Sequence, residues 1–345
     1  MFKKKITVCI LLVFIISYVL SFNAAVSNQS IEVDNVYRKK VYPIGRVVGL
    51  KLYTNGVLVV GMSEVEDEYG NTIETYENTG IKEGDMIKSV NGKTINNVEE
   101  LINEVNKSNG DDISIKYERN KEEIYTLIKP IKTNRGDYML GLWVRDAAAG
   151  IGTMTFYDES SSKFAALGHG IDDIDTGNLL NISNGEIVTG KIVSIVKGKE
   201  KNPGEIRGTI DEGETIGNVE NNTNLGVYGK VTNYNYINSV KLEEVDVAGR
   251  NQIQIGKAKI YCQLSNEGID EYEIEIKKIY RNNSQNNKSM LIKVTDEKLI
   301  NLTGGIIPGM SGTPIIQNEK IVGAITNVLL NDPTQGYAIF ADMMF

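Results

Sequence analysis

Apolar positions follow several different spacings along the chain. The continuous run in Gly56–Val65 (GVLVVGMSEV) predicts a buried strand. Helical spacing predicts a helix within NNVEELINEVNKS, with its apolar face formed by Val98, Leu101, Ile102 and Val105. Residues 112–131 alternate as a hairpin with a polar turn at Arg119-Asn120. From about residue 134 to 345, short β-branched runs separated by glycine and asparagine predict an all-β barrel or sandwich.

The N-terminus has the pattern of an export segment. Three lysines precede an apolar or small-residue run from Ile6 to Phe22, which is near the lower length limit for spanning a bilayer. Asn23-Ala24-Ala25 offers small residues near a possible cleavage point. Residues 1–25 are therefore either a signal peptide or a membrane anchor. In both cases the rest of the chain is expected outside the cytoplasm, exported across the cytoplasmic membrane or anchored to it.

The composition excludes several classes of function. The formal net charge is -8, so a nucleic-acid partner is disfavoured. With one histidine and two cysteines, Cys9 and Cys262, the chain lacks ligands for a structural zinc site, and no metal or cofactor is expected. Since Cys9 falls in the leader, no internal disulfide is expected in the exported part. Calcium binding by aspartates in DDID, residues 172–175, would lack the full loop of an EF-hand.

Residues 42–132 resemble a PDZ domain of the type found in bacterial proteases. The likeness is carried by Gly80–Ile87, by Val90-Asn91-Gly92 and by the helix that follows. Such domains bind extended peptide ends by adding a strand to a sheet edge. The resemblance implies a peptide-binding strand at Gly56, Val57, Leu58 and Val59, with the carboxylate site in the loop before it. A small structural β domain without a ligand is the alternative.

Ser311 and His169 both lie in glycine-rich turns. Ser311 stands in GMSGTP and is followed by two apolar strands around a polar turn, while Gly168 and Gly170 flank His169, the sole histidine. An imidazole titrates near neutrality and can serve as the base that a serine nucleophile needs. Each residue also has an ordinary interpretation, as a loop serine or as a histidine bonded to a backbone carbonyl.

The order of histidine, acid and serine, together with G-x-S-G-x-P, is typical of chymotrypsin-like proteases, and the strands after the serine resemble those of HtrA-like enzymes. In such a turn the N–H groups of Gly309 and Ser311 can form an oxyanion hole. The chain as a whole resembles the stage IV sporulation protein B (SpoIVB) peptidases. The most specific residues are Ala166–Ile171, Asp175–Gly177, Gly309–Gln317 and Asn331–Thr334.

This resemblance implies a mainly β chain: a small α/β PDZ domain followed by a chymotrypsin-like double β-barrel peptidase domain over residues 134–345. It implies His169 as base, Ser311 as nucleophile and Asp296 as the acid. Other carboxylates compete for the role of acid: Asp172, Asp173, Asp175 and Asp332.

The resemblance further implies an exported serine endopeptidase that acts in the space between the mother cell and forespore membranes. It would cleave itself and a membrane-linked sporulation regulator, so that a late sigma factor is activated. Its PDZ domain would bind a peptide C-terminus or a segment of its own chain. The alternative is a catalytically silent, exported PDZ binding or scaffold protein.

Overall fold

The structure is a computed structural model that describes residues 39–281 and 287–345. The predicted leader, residues 1–25, lies outside these residues. Within the described ranges, no helix is both long and apolar enough to span a membrane. In the described residues strands dominate, and they form two closed barrels and a third group of shorter strands in the PDZ region.

The first barrel is built from six strands, four of them long. They are β1 (Lys40–Met62), β10 (Leu142–Asp158), β11 (Lys163–Ala166), β12 (Ile182–Val196), β13 (Glu205–Thr223) and β14 (Gly226–Val231). Antiparallel pairing closes them in the order β1, β10, β11, β14, β13, β12 and back to β1. Alternate side chains fill the interior, among them Ile44, Leu50 and Ile187, each at most 1% exposed.

The second barrel also closes on itself. Its strands are β16 (Gly256–Cys262), β17 (Asp270–Ile279), β18 (Met290–Val294), β19 (Pro314–Gln317), β20 (Lys320–Leu329) and β21 (Asp332–Phe340). They pair antiparallel in the order β16, β17, β18, β21, β20, β19 and back to β16. Together the two barrels confirm the predicted chymotrypsin-like architecture.

Short elements join the two barrels. Helix α2 (Tyr234–Val240) leads to β15 (Val245–Val247), which pairs with the start of β1 and runs parallel to β20. Helix α3 (Glu297–Thr303) connects β18 to the segment before β19, and a 3-10 turn (Ala341–Met343) ends the described chain. An apolar cluster that includes Val41, Phe156 and Ile339 packs between the barrels.

The PDZ unit is inserted between β1 and β10. The chain enters it from the second part of β1 and returns to the barrel through β10. It contains helix α1 (Val98–Lys107) and the strands β2 (Val65–Glu66), β3 (Thr72–Ile73), β4 (Met86–Val90), β5 (Lys93–Thr94), β6 (Ile113–Arg119), β7 (Glu122–Ile128), β8 (Ile131–Lys132) and β9 (Tyr138–Met139). The predicted hairpin is β6 and β7, but its turn lies one residue later than predicted, at Asn120 and Lys121, because Arg119 pairs with Glu122; the two turn residues have φ of 52° and 68°. Left-handed residues at both positions match the twist of the strands.

The predicted helix is α1, and Asn97 caps it by accepting a hydrogen bond from the backbone N–H of Glu100. Leu101 and Val105 are buried in the PDZ core, whereas Ile102 is 53% exposed.

Strands β1 and β10 each belong to both units. The first part of β1, through Thr54, pairs with β12 of the barrel, and Val57 and Leu58 pair with β4 of the PDZ unit. Strand β10 starts beside the PDZ part of β1 and ends in the barrel. The sequence-based division at residue 42 therefore places barrel residues at the start of the PDZ range. The sequence does not show this division because the strands that pair with β1, β12 in its first part and β4 in its second, lie far along the chain.

Candidate active site and peptide groove

The serine turn lies between α3 and β19, and its backbone amides fall into two groups. The N–H groups of Met310, Gly312 and Thr313 donate to Ile307, Ile325 and Met310 carbonyls. In the described chain, the N–H groups of Gly309 and Ser311 have no such acceptor. These two amides are the ones that the sequence predicts for an oxyanion hole, in which such N–H groups would bind an external oxygen.

Gly312 allows the serine turn to approach the first barrel closely. Its φ is +95°, and a Cβ added there would lie 2.1 Å from the Thr153 oxygen and 2.5 Å from the Leu167 nitrogen. Thr153 of β10 donates its N–H to the Ser311 carbonyl (3.0 Å) and its hydroxyl to the Gly309 carbonyl (2.8 Å). The nucleophile turn of one barrel is thus held directly against a strand of the other.

His169 follows β11 after two residues in the left-handed region, Leu167 at φ 68° and Gly168 at φ 69°. Such a conformation is uncommon for leucine and is typical of functional sites. The His169 Nδ1 atom lies 2.7 Å from the Gly170 carbonyl oxygen. With a proton on Nδ1, that carbonyl accepts it, and Nε2 is left as the basic nitrogen.

Asn222 holds the chain after His169 in place, which the sequence gave no reason to expect. Its side chain accepts a hydrogen bond from the Ile171 N–H (2.9 Å) and donates to the Ile171 and Leu180 carbonyls (2.8 and 2.9 Å). An asparagine within VENNTN has no distinguishing sequence pattern, so only the folded chain reveals this role.

His169 and Ser311 line one cavity of about 510 Å³ at the junction of the two barrels. Ala148–Ile151 of β10 form one wall, and Thr326–Val328 of β20 form another. The Ser311 hydroxyl donates to the Thr326 carbonyl (2.7 Å). Among the described residues, no hydrogen bond joins Ser311 to His169. The structure therefore brings the two residues into one cavity but shows the hydroxyl turned toward another acceptor.

Asp296 does not line this cavity. It is the N-cap of α3, where one carboxylate oxygen accepts the Leu299 N–H (3.0 Å) and the other accepts the Glu273 N–H (3.3 Å). Both oxygens thus bond backbone groups of the second barrel. The assignment of Asp296 as the acid stays a prediction, and these contacts do not support it.

The four competing aspartates occupy different surroundings. Asp172 is exposed and lines the cavity. Asp173 is buried and bonds Arg145 (2.7 Å), and Asp175 bonds the same guanidinium (2.6 Å). Hydrogen bonds from Thr334 and Gln335 hold the pKa of Asp332 below its usual value. Asp172 is therefore the only one of the five candidate acids that borders the cavity. Nowhere in the described ranges do three carboxylate, thiol or imidazole groups cluster as metal ligands would.

The predicted peptide-binding strand, Gly56–Val59, has partners on both sides. Val57 and Leu58 pair with β4, and Leu58 and Val59 pair with the start of β10. The Val59 N–H also donates to the Asp85 carbonyl (2.8 Å). A peptide could not add to this strand while these pairs persist, because a strand has only two edges.

A groove of about 690 Å³ lies instead between α1 and the start of β10. Its apolar lining comes from helix residues Val98, Leu101, Ile102 and Val105 and from strand residues Leu142, Trp143 and Val144. Trp143 is 63% exposed, and its indole N–H donates to the Ser63 hydroxyl (2.9 Å). The sequence MLGLWV, from 139 to 144, was the available signal, since a glycine precedes an apolar run.

Two barrels with a serine and a histidine at their junction, joined to a PDZ unit, define a serine endopeptidase that binds peptide or protein substrates. The chain belongs to the SpoIVB peptidase S55 family, whose family model matches residues 136–345. The PDZ domain model matches residues 45–129. This confirms the family expected from the sequence.

Solved structures with detectable similarity include three proteins. The PDZ domain of the SdrC-like protein from Listeria monocytogenes is 21% identical, covering 26% of this chain and 87% of that one, with a TM-score of 0.21. An inactive mutant form of Rv3671c from M. tuberculosis is 10% identical, covering 55% and 76%, with a TM-score of 0.28. The HtrA-type protease AlgW with a decapeptide is 10% identical, covering 88% and 63%, with a TM-score of 0.33.

Proposed function

We propose that Ser311 is the nucleophile and His169 the base of an exported sporulation peptidase. One observation carries the assignment: Ser311 and His169 border the same cavity, beside two backbone amides that lack acceptors in the described chain. Rotation about χ1 of Ser311 releases the Thr326 carbonyl and frees the hydroxyl to turn within the cavity that His169 also lines. Catalytic hydrogen bonds of this kind commonly form only when substrate is bound.

In the proposed reaction, His169 Nε2 takes the proton of Ser311 as the serine oxygen attacks the substrate carbonyl carbon. The N–H groups of Gly309 and Ser311 bind the resulting oxyanion. The Gly170 carbonyl keeps the proton on Nδ1 and so fixes the tautomer. His169 then protonates the leaving amine, and water hydrolyses the acyl-enzyme with the same base.

The labelling experiment uses the full-length chain and a fluorophosphonate probe. We expect covalent labelling of the wild type, and background labelling of Ser311→Ala and His169→Ala. Thr295→Ala is the matched control, because this exposed residue lies next to Asp296 and away from the cavity. Equal labelling of all variants would contradict the assignment and would favour a catalytically silent scaffold.

We also propose that the chain is exported or anchored through residues 1–25 and cleaves itself and a membrane-linked regulator of sporulation. The family membership and the apolar run after three lysines support this proposal. In an endospore-forming host, replacement of the native copy by Ser311→Ala should abolish the formation of heat-resistant spores. It should also abolish all shortened forms of the protein except the product of signal peptidase. Normal spore counts with unchanged N-termini would contradict it.

A further inference from the structure

The unpaired edge of β10 runs past both sites. One edge of β10 pairs with β1 from Leu142 to Tyr157, whereas the opposite edge pairs with β11 only from Met154 onward. Between Leu142 and Gly152, no strand or backbone hydrogen bond in the described ranges occupies that second edge. Unpaired strand edges of this kind accept a further strand.

The free edge passes first along the PDZ groove and then into the catalytic cavity. Leu142–Val144 form one side of the groove, opposite α1. Ala148–Ile151 form a wall of the cavity that contains Ser311. Side chains here are small, since residues 147–150 are three alanines and a glycine. No strand of the described chain pairs with the edge at the cavity end.

Side-chain contacts fix the strand between these two places. The Asp146 carboxylate accepts the Val98 N–H at the start of α1 (2.7 Å). The Arg145 guanidinium bonds Asp173 (2.7 Å) and Asp175 (2.6 Å), in the loop that follows His169. One strand thus holds the groove helix on one side and the histidine loop on the other. The separation of groove and cavity is set by this strand rather than by a linker.

We propose that a single extended substrate segment pairs with this edge along its whole free length, so that the groove selects a residue at a fixed distance from the scissile bond. The inference rests on the proposed function. Antiparallel pairing, the more stable mode, directs the C-terminal end of the segment toward Leu142. The groove part of the strand is centred on Trp143 and the cavity wall between Ala149 and Gly150, so the selected residue lies about six to seven positions C-terminal to the scissile bond, roughly 21 Å along the strand.

The occupant of the groove is an apolar side chain of the substrate. The apolar part of the lining includes Leu101, Ile102 and Trp143. Charges of both signs stand at the end near Leu142, namely Arg135, Glu64 and Glu66, and none forms an ion pair within the described residues. Because both signs are present, the groove has no preference for a substrate side chain of one charge. The groove therefore selects the substrate residue by apolar contact.

The test measures cleavage as a function of the position of one apolar residue. A cleavable sequence is first taken from a degenerate peptide library digested by the full-length chain. It is then placed in glycine-serine peptides that carry a single leucine at two to fourteen residues on either side of the cut. We expect kcat/KM to rise about tenfold over the peptide without leucine, at about five to eight residues C-terminal to the cut.

A groove variant and a matched control complete the test. Ile102→Glu should lower kcat/KM of the best peptide to that of the peptide without leucine. Leu127→Glu should not, since Leu127 is 64% exposed on the PDZ unit and lies outside the groove. Rates indifferent to the leucine position, or a maximum on the N-terminal side, would overturn the inference and leave the proposed function intact. Absence of library digestion would overturn both.

Discussion

Replacement of Asp296 by asparagine separates a capping role from a catalytic one. Asparagine caps a helix about as well as aspartate, so α3 should keep its Leu299 contact. Only the charge is lost, which costs about 0.3–1 kcal/mol near a helix N-terminus. We therefore expect Asp296→Asn to unfold within a few degrees of the wild type and to keep its peptidase rate within about threefold.

The alanine variant provides the comparison. Asp296→Ala removes acceptors from the Leu299 and Glu273 N–H groups, and loss of such a cap costs about 0.5–2 kcal/mol. We expect a lower unfolding temperature, with activity retained at temperatures where the fold persists. In a catalytic triad, asparagine at the acid position lowers kcat by about 10⁴.

The assay is cleavage of a library-derived peptide by the full-length chain, beside thermal unfolding followed by circular dichroism. Asp172→Asn serves as the parallel variant because Asp172 borders the cavity. A loss of about 10³ or more in Asp296→Asn, with unchanged unfolding, would refute the capping argument. It would mean that α3 rearranges when substrate binds and that the sequence-based acid is correct.

Three further substitutions or treatments test the packing. Gly312→Ala should destabilise the peptidase domain by about 3 kcal/mol or more in thermal unfolding, since its Cβ would meet the Thr153 oxygen at 2.1 Å in a left-handed backbone. Arg119→Met should lower the free energy of unfolding of the PDZ unit by about 3–5 kcal/mol, because Asp85 is 0% exposed and would lose its guanidinium partner. Adding Asp85→Asn should restore much of this stability. Burial raises the pKa of the Cys262 thiol to about 12, so maleimide at pH 8 should leave it unmodified, by mass spectrometry, until the chain is unfolded in guanidinium.

Much of the fold was predictable from local patterns. Helix α1 and the β6 and β7 hairpin follow from spacing and turn chemistry that act over a few residues. The glycines around Ser311 and His169 likewise marked the two turns that meet in the cavity. Each of these signals is carried by consecutive residues, which is why the sequence alone was sufficient.

The remaining features depend on residues far apart in the chain. Strand β1 supplies both a barrel and the PDZ sheet, and no local pattern marks where one ends. Asp296 fits a family motif, yet its carboxylate faces N–H groups of Leu299 and Glu273. The groove beside Trp143 arises only when β10 returns to α1. Partner strands and the directions of side chains were thus beyond sequence reasoning.

The arrangement of β1 and β10 determines how the PDZ unit can be deleted from this chain. Tyr53 and Ala147 are direct partners in the barrel, although more than ninety residues separate them. A two-residue Asn-Gly turn joining them would replace the entire PDZ insertion by an ordinary hairpin and would shorten the barrel part of β1 only by Thr54. Truncation from the N-terminus, in contrast, would remove strand β1 of the first barrel together with the PDZ unit. The peptidase can therefore be freed of its PDZ unit by internal excision but not by shortening.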